Sequence, residues 1–464
     1  MAKPAPILLV IRKLPLPLAL LAAVVTAVPA THAARPAAAP PYVAPRGSGA
    51  LFLITGHGYG HGVGMGQWGA QGYALHGYAY ADILAAYYPG TDLSQTRVRK
   101  LRVLLADGQR RVTVSSDKPY SLVDGNGRTH SVPAGGSSFN AKSTTYPATF
   151  SAARGSVLSL SGRAYRGKLV LSLVNGKLRA VDVVGLQQYL DAVVPSEMPS
   201  SWEADALEAQ AVASRSYALA GRKPGAAYDL STSGQGYVGV AAETPQGDAA
   251  VSATKGQVLT YDGAVATTVY SSSTGGRTQS AADAWGGGAP YLVSVKDPYD
   301  TISPYHTWGP IPVTGKGLAA VLSLPGKPVD ATVTRNSSKR VAQLHVTTLV
   351  HESLSDSAVT GDSAAASLNL RSTWFSVGVL SLLPPSPHVA VSPGTTVTLT
   401  GTVRGVKDVV LQERPSGGAW TELEQVEPDP STSAISVDVT PTVTTDYRLA
   451  TTTAAAAYVR ITVS

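Results

Sequence analysis

At 464 residues and 47.8 kDa, the chain is too long for one core of ordinary size and calls for two or three domains. Charged residues make up 14 % and hydrophobic ones 44 %, which excludes bulk disorder. A net charge of +7 without a Lys/Arg run argues against nucleic acid as partner and suits an acidic polymer or a cell-wall surface. The lack of cysteine removes disulfides, thiolate zinc sites, iron–sulfur clusters and cysteine nucleophiles.

Residues 1–34 have the three parts of a secretory signal peptide. Lys3, Arg12 and Lys13 precede an apolar run at 14–28, and small residues follow with Ala33 and Ala34 as cleavage positions. The run is short for a membrane span, which needs about 20 residues. The expectation is a secreted, cell-wall-associated protein without a transmembrane anchor. Residues 35–48 are a Pro/Ala-rich linker. A main domain is expected over 49–381. It opens with the strand LFLI, a Gly-rich loop and short helices at 67–75 and 81–88. A β-rich stretch at 97–185 and a helical stretch at 186–221 follow, with a hairpin at 331–350 further on. A Pro-rich linker at 382–387 leads to short strands over 388–464, spaced as in a small immunoglobulin-like sandwich. There Trp420 and Tyr447 are expected in the core or half in it, with sugar binding the weaker reading. The fold class is α+β.

Two stretches carry chemistry. Glu197 lies between Pro195 and Pro199, in a turn expected just before a helix capped by Ser200 and Glu203. Burial would raise its pKa and the helix N-terminus would lower it. On spacing alone it is either a catalytic carboxyl or an ordinary capping one. Farther along, Glu208, Val212, Arg215 and Leu219 share one helix face. The other stretch, GHGYGHGVGMG at 56–66, fails the dinucleotide fingerprint because every Gly falls at an even offset. His57 and His61 have four-residue spacing, but so much Gly is not helical, so metal binding is disfavoured. The loop either lets a ligand approach the backbone, with Gln67 and Trp68 facing a sugar, or is a packed turn.

The strings GHGVGMGQWGAQGYA, YLDAVVPSEMPSSW, ALEAQAVASRSYAL, SSSTGGRT and LRSTWF resemble the SpoIID/LytB family, the stage II sporulation D and amidase-enhancer proteins. The order of segments looks permuted, as in exported actinobacterial members. The resemblance implies a lytic transglycosylase acting on peptidoglycan glycan strands, with Glu197 catalytic. It implies substrate-side roles for Arg215, Gln235, Tyr237, His61 and Gln67, and Trp68 and Tyr237 as stacking rings. For Arg215 a salt bridge to Glu208 is the competing role. Some members hold zinc through cysteines near the Ser/Thr-Gly-Gly string. Ser271 and Thr274 stand there instead, so no metal and no cofactor is expected. The rival function is a non-catalytic wall-binding protein that enhances a separate cell-wall amidase.

Overall fold

The computed structural model describes residues 41–464 except 48, 352 and 384–389. The expected signal segment, residues 35–40 and most of the 382–387 linker lie outside the described residues. Tyr42–Val43, inside the first expected linker, forms a strand, β1. Then come β2 Leu51–Gly56, β3 Met65–Gly66 and helices α1 Gln67–Leu75 and α2 Tyr80–Tyr87. The β-rich stretch includes β4 Lys100–Gln109, β5 Lys168–Val174 and β6 Lys177–Gly185. Helices α3 Leu186–Glu197, α4 Ala204–Ala220 and α5 Pro245–Ala253 follow. Beyond them are β7 Gln257–Tyr261, β8 Tyr270–Ser271, β9 Trp308–Thr314 and β10 Phe375–Leu382. The expected hairpin forms between Lys327–Arg335 and Val341–Val350. The last elements are β11 Val397–Arg404, β12 Val410–Pro415, β13 Thr421–Gln425, β14 Ala434–Val439, β15 Thr445–Ala450, β16 Ala454–Ala455 and β17 Val459–Ile461. The chain is mixed α+β and rich in strands.

The main core lies between a seven-stranded sheet and the central helices. Alternation on β4, β5 and β6 turns Leu101, Val103, Leu169, Leu171 and Val184 into one cluster with Leu186, Tyr189, Leu190 and Val193 of α3. Helix α4 runs through this core with Ala, Ser, Val and Leu buried nearly all round, as a central helix must be.

Two local expectations fail for clear reasons. Pro195 does not start a turn; it sits inside α3, one turn from the end. The helix stops at Met198, whose backbone is extended (φ −126°, ψ 144°), because Pro199 crowds the α conformation of the residue before it. Glu197 is therefore the last residue of α3. The Ser200/Glu203 capping box does not form either. Ser200 Oγ bonds Thr244 Oγ1 at 2.8 Å, and Glu203 N–H donates to Gln71 Oε1 at 2.9 Å, so α1 ties down the start of α4.

The C-terminal strands do not close on themselves as an immunoglobulin-like sandwich. β11 and β14 extend a five-stranded sheet in the order β9-β2-β10-β11-β14, and β1 pairs with β16 in the facing sheet. The physical reason is β2. Its Leu51 and Leu53 enter one cluster with Leu380, Leu399, Leu411, Tyr447 and Leu449, while Phe52 and Ile54 enter another with Trp308 and Phe375. A strand apolar on both faces needs cover on both. Tyr447 is a core residue as expected. Trp420 is half-buried, also within the expectation, and stands under arginines.

Candidate active site

Glu197 sits at the C-terminal end of α3, half-buried, and its Oε1 accepts the Gly236 N–H at 2.7 Å. The Tyr270 hydroxyl is its second hydrogen-bonding neighbour. Burial pushes the carboxyl pKa up; the Gly236 and Tyr270 hydrogen bonds pull it back without cancelling the rise. The expected dipole effect is reversed. Glu197 ends a helix instead of preceding one, and the partial negative charge at a helix C-terminus disfavours the anion.

Around it lies a ring of neutral polar groups. Gln67 Nε2 donates to the Glu197 carbonyl at 3.1 Å and to Gln210 Oε1 at 3.4 Å. Gln210 Nε2 donates to Ser214 Oγ at 2.8 Å. Gln235 Nε2 donates to Tyr270 Oη at 3.0 Å and to the Ser214 carbonyl at 3.2 Å, and Tyr189 Oη donates to Gln235 Oε1 at 2.9 Å. None of these groups is a cation that would hold Glu197 ionised. The arrangement keeps one protonatable carboxyl fixed in direction, with neutral donors and acceptors about it.

Of the residues expected at this site, Gln67 and Gln235 lie in this ring, while Tyr237, Arg215 and His61 are placed differently. Tyr237 is buried, and its hydroxyl donates to Asp182 Oδ2 at 2.6 Å. Its ring cannot stack on a sugar; it anchors the loop whose Gly236 N–H meets Glu197. Arg215 is wholly buried, away from any substrate, and among the described residues it forms no ion pair with Glu208 or another carboxylate. It donates to the Gln257 carbonyl at 3.0 Å and the Val251 carbonyl at 3.3 Å, with Gln187 Oε1 and Thr254 Oγ1 also in reach. Polar carbonyls at the C-terminal end of α5 and the start of β7 turn it inward, into a structural clamp. His61 is exposed and lies near Trp285, with ring centroids 5.6 Å apart. Its Nδ1 accepts from Val63 N–H at 3.0 Å.

Trp68 is half-buried and pairs with Trp202, centroids 4.7 Å apart. Trp202 and Tyr270 are the functional candidates that sequence reasoning missed. Trp202 follows Pro199 in the same string as Glu197, and Tyr270 immediately precedes the SSSTGG string. The glycine loop is a packed turn, correcting the ligand-approach reading. At Gly64 (φ +71°) a Cβ would lie 2.0 Å from the Val269 carbonyl oxygen. That close approach lets β3 pair in parallel with β8, setting Met65 opposite Tyr270. The loop thus brings Gln67 to the Glu197 carbonyl and Tyr270 to its carboxyl.

The zinc-bearing stretch of some family members holds hydroxyls here. Thr274 Oγ1 donates to the buried Asp297 at 2.7 Å, and such groups do not fit a thiolate zinc site. Among the described residues no three His, Asp or Glu side chains have metal-holding geometry.

Residues 174–261, which run from the end of β5 through α3 and α4 to β7, match the family model described as Stage II sporulation protein. The chain is 41 % identical over 111 residues to the Amidase enhancer of Bacillus subtilis, covering 24 % of this chain and 15 % of that protein. It is 31 % identical over 147 residues to Stage II sporulation protein D of Bacillus subtilis, covering 28 % and 43 %. The chain thus spans less than half the length of either relative. No solved structure matches. The matched stretch, which contains Glu197, is thus similar to the SpoIID family and to the amidase-enhancer and stage II sporulation D proteins.

Proposed function

We propose that the protein is a peptidoglycan lytic transglycosylase, cleaving MurNAc–GlcNAc β-1,4 bonds with Glu197 as its single acid and base. The observation that carries this reading is a carboxyl raised by burial, fixed by Gly236 N–H, with no cation among the described residues in hydrogen-bond contact. Such a group holds its proton long enough to donate it. Protonation of the glycosidic oxygen lets the bond break toward an oxocarbenium-like muramoyl ring. The 6-hydroxyl of that ring attacks its own anomeric carbon and returns its proton to Glu197. Most glycosidases need a second carboxylate to activate water or form an adduct; here the substrate supplies the nucleophile. Trp68 and Trp202 offer partly exposed ring faces for neighbouring sugars.

The family and its relatives' names support a cell-wall role, exercised on glycan strands outside the membrane by a secreted chain. Among the described residues no helix is long and apolar enough to cross a membrane. The likeness to an Amidase enhancer favours a second reading, in which the protein binds wall glycan and assists an amidase without cutting. Digestion of glycan strands, with and without stem peptides, separates the two by mass spectrometry. Anhydro-muramoyl ends support the first reading. Their absence, with acceleration of an added amidase, supports the second.

A further inference from the structure

Far along the chain from Glu197, the outer face of the C-terminal sheet gathers charge that the sequence scatters. Register pairs Gln412 with Arg448, Arg414 with Asp446, and Asp446 with Arg460 across β12, β15 and β17. Leu411, Tyr447 and Leu449 point into the core, so Arg414, Arg448 and Arg460 share the opposite face. Trp420 and Tyr458 stand on that face with ring centroids 6.0 Å apart. The Arg448 guanidinium lies 4.0 Å and the Arg414 guanidinium 4.7 Å from the Trp420 centroid. Around Tyr458 lie Arg414 at 5.1 Å, Arg46 at 5.6 Å and Arg460 at 5.9 Å.

Four cations therefore surround two rings. Asp446 pairs with Arg414 and Arg460, at 2.8 Å and 2.7 Å. Glu422, opposite Gln412, adds one exposed carboxylate. Four positive and two negative charges leave the face at +2. Among the described residues Arg448 has the neutral Gln412 Oε1 as its one hydrogen-bond acceptor, at 2.9 Å. Arg46 has no ion pair among the described residues.

We propose that this face binds a linear phosphodiester polymer through its backbone. Cation–π stacking holds the guanidinium planes in place, so less side-chain entropy is lost when they bind an anion. With guanidinia over the rings, stacking of sugars or bases is not the main mode. Asp446 already fills the slot for a carboxylate between Arg414 and Arg460. What remains are single guanidinium forks at Arg46 and Arg448. A polymer with one singly charged phosphate per link presents two anionic oxygens to each fork and separate charges to separate cations. Positive excess on the face supplies the charge complementarity.

The test uses the full chain on immobilised polyglycerol phosphate, with polyglutamate and an uncharged chitin oligomer as comparison arms. The Arg46→Gln/Arg448→Gln double variant leaves the Asp446 pairs intact, and thermal unfolding checks its fold. Wild type should bind polyglycerol phosphate alone. The variant should bind roughly tenfold more weakly, with the salt slope reduced by about one per arginine. Equal binding by variant and wild type overturns the proposal, as does equal binding of polyglutamate or the neutral oligomer. Should the variant unfold, salt-independent binding by wild type overturns it.

Discussion

Replacing Glu197 with Gln separates chemistry from packing. The amide keeps the side-chain shape, and its oxygen can still accept Gly236 N–H, the 2.7 Å bond that fixes the loop. It cannot give or take the proton. Loss of general acid–base catalysis costs about 10²–10⁴ in rate, or about 3–5 kcal/mol of barrier. Stability should move the other way. Burial already disfavours the Glu197 anion, so a neutral amide should unfold at the same temperature or higher at pH 8. Glu197→Ala should differ, because it leaves the Gly236 N–H without its acceptor, a loss of about 1–3 kcal/mol and nearer the low end for a half-buried group. The assay is release of anhydro-muramoyl ends from glycan strands, read by mass spectrometry beside thermal melts of all three proteins. In the wild type, the raised pKa also predicts that cleavage falls as pH rises through it, since the acid must be protonated. Wild-type release by Glu197→Gln would refute the catalytic assignment. A Gln variant less stable than the Ala variant would refute the hydrogen-bonding account.

Arg215→Lys should destabilise by about 3 kcal/mol, because an ammonium cannot reach the Gln257 and Val251 carbonyls together; a urea midpoint unchanged with cleavage lost would return Arg215 to a substrate role. Gly64→Ala should prevent correct folding or leave Tyr270 displaced, given the 2.0 Å approach to Val269, and an active, normally melting variant would contradict this. Asp182 is pushed by burial from 3.8 up to about 6. The folded state therefore binds more protons between those values, and stability present at low pH is lost as pH rises to about 6. Its share is at most about 3 kcal/mol, and Asp182→Asn should flatten that part of a melting curve taken from pH 4 to 8. Truncation after residue 381 should yield insoluble protein, since it uncovers Leu51, Leu53 and Leu380; a soluble, cooperatively melting fragment would show that the boundary is real.

The α+β class, α1, α2 and the hairpin expected at 331–350 were legible because apolar periodicity and turn residues act over a few neighbours. Gln67 and Gln235 at the site came from the family resemblance. What local patterns could not decide was direction. Pro195 and Pro199 mark a boundary in the sequence, but only the packed α3 determines on which side of a helix Glu197 falls, and so the sign of the dipole acting on it. Arg215 and Tyr237 are polar enough for a substrate site, yet buried carbonyls and Asp182 claim them. Each such group takes whichever partner relieves the larger desolvation cost, and those partners are 36 to 55 residues away. The same holds for charge. No run of Lys or Arg appears in the chain, but strand pairing sets Arg46, Arg414, Arg448 and Arg460 around two rings, because sheet register brings together residues that the backbone keeps far apart.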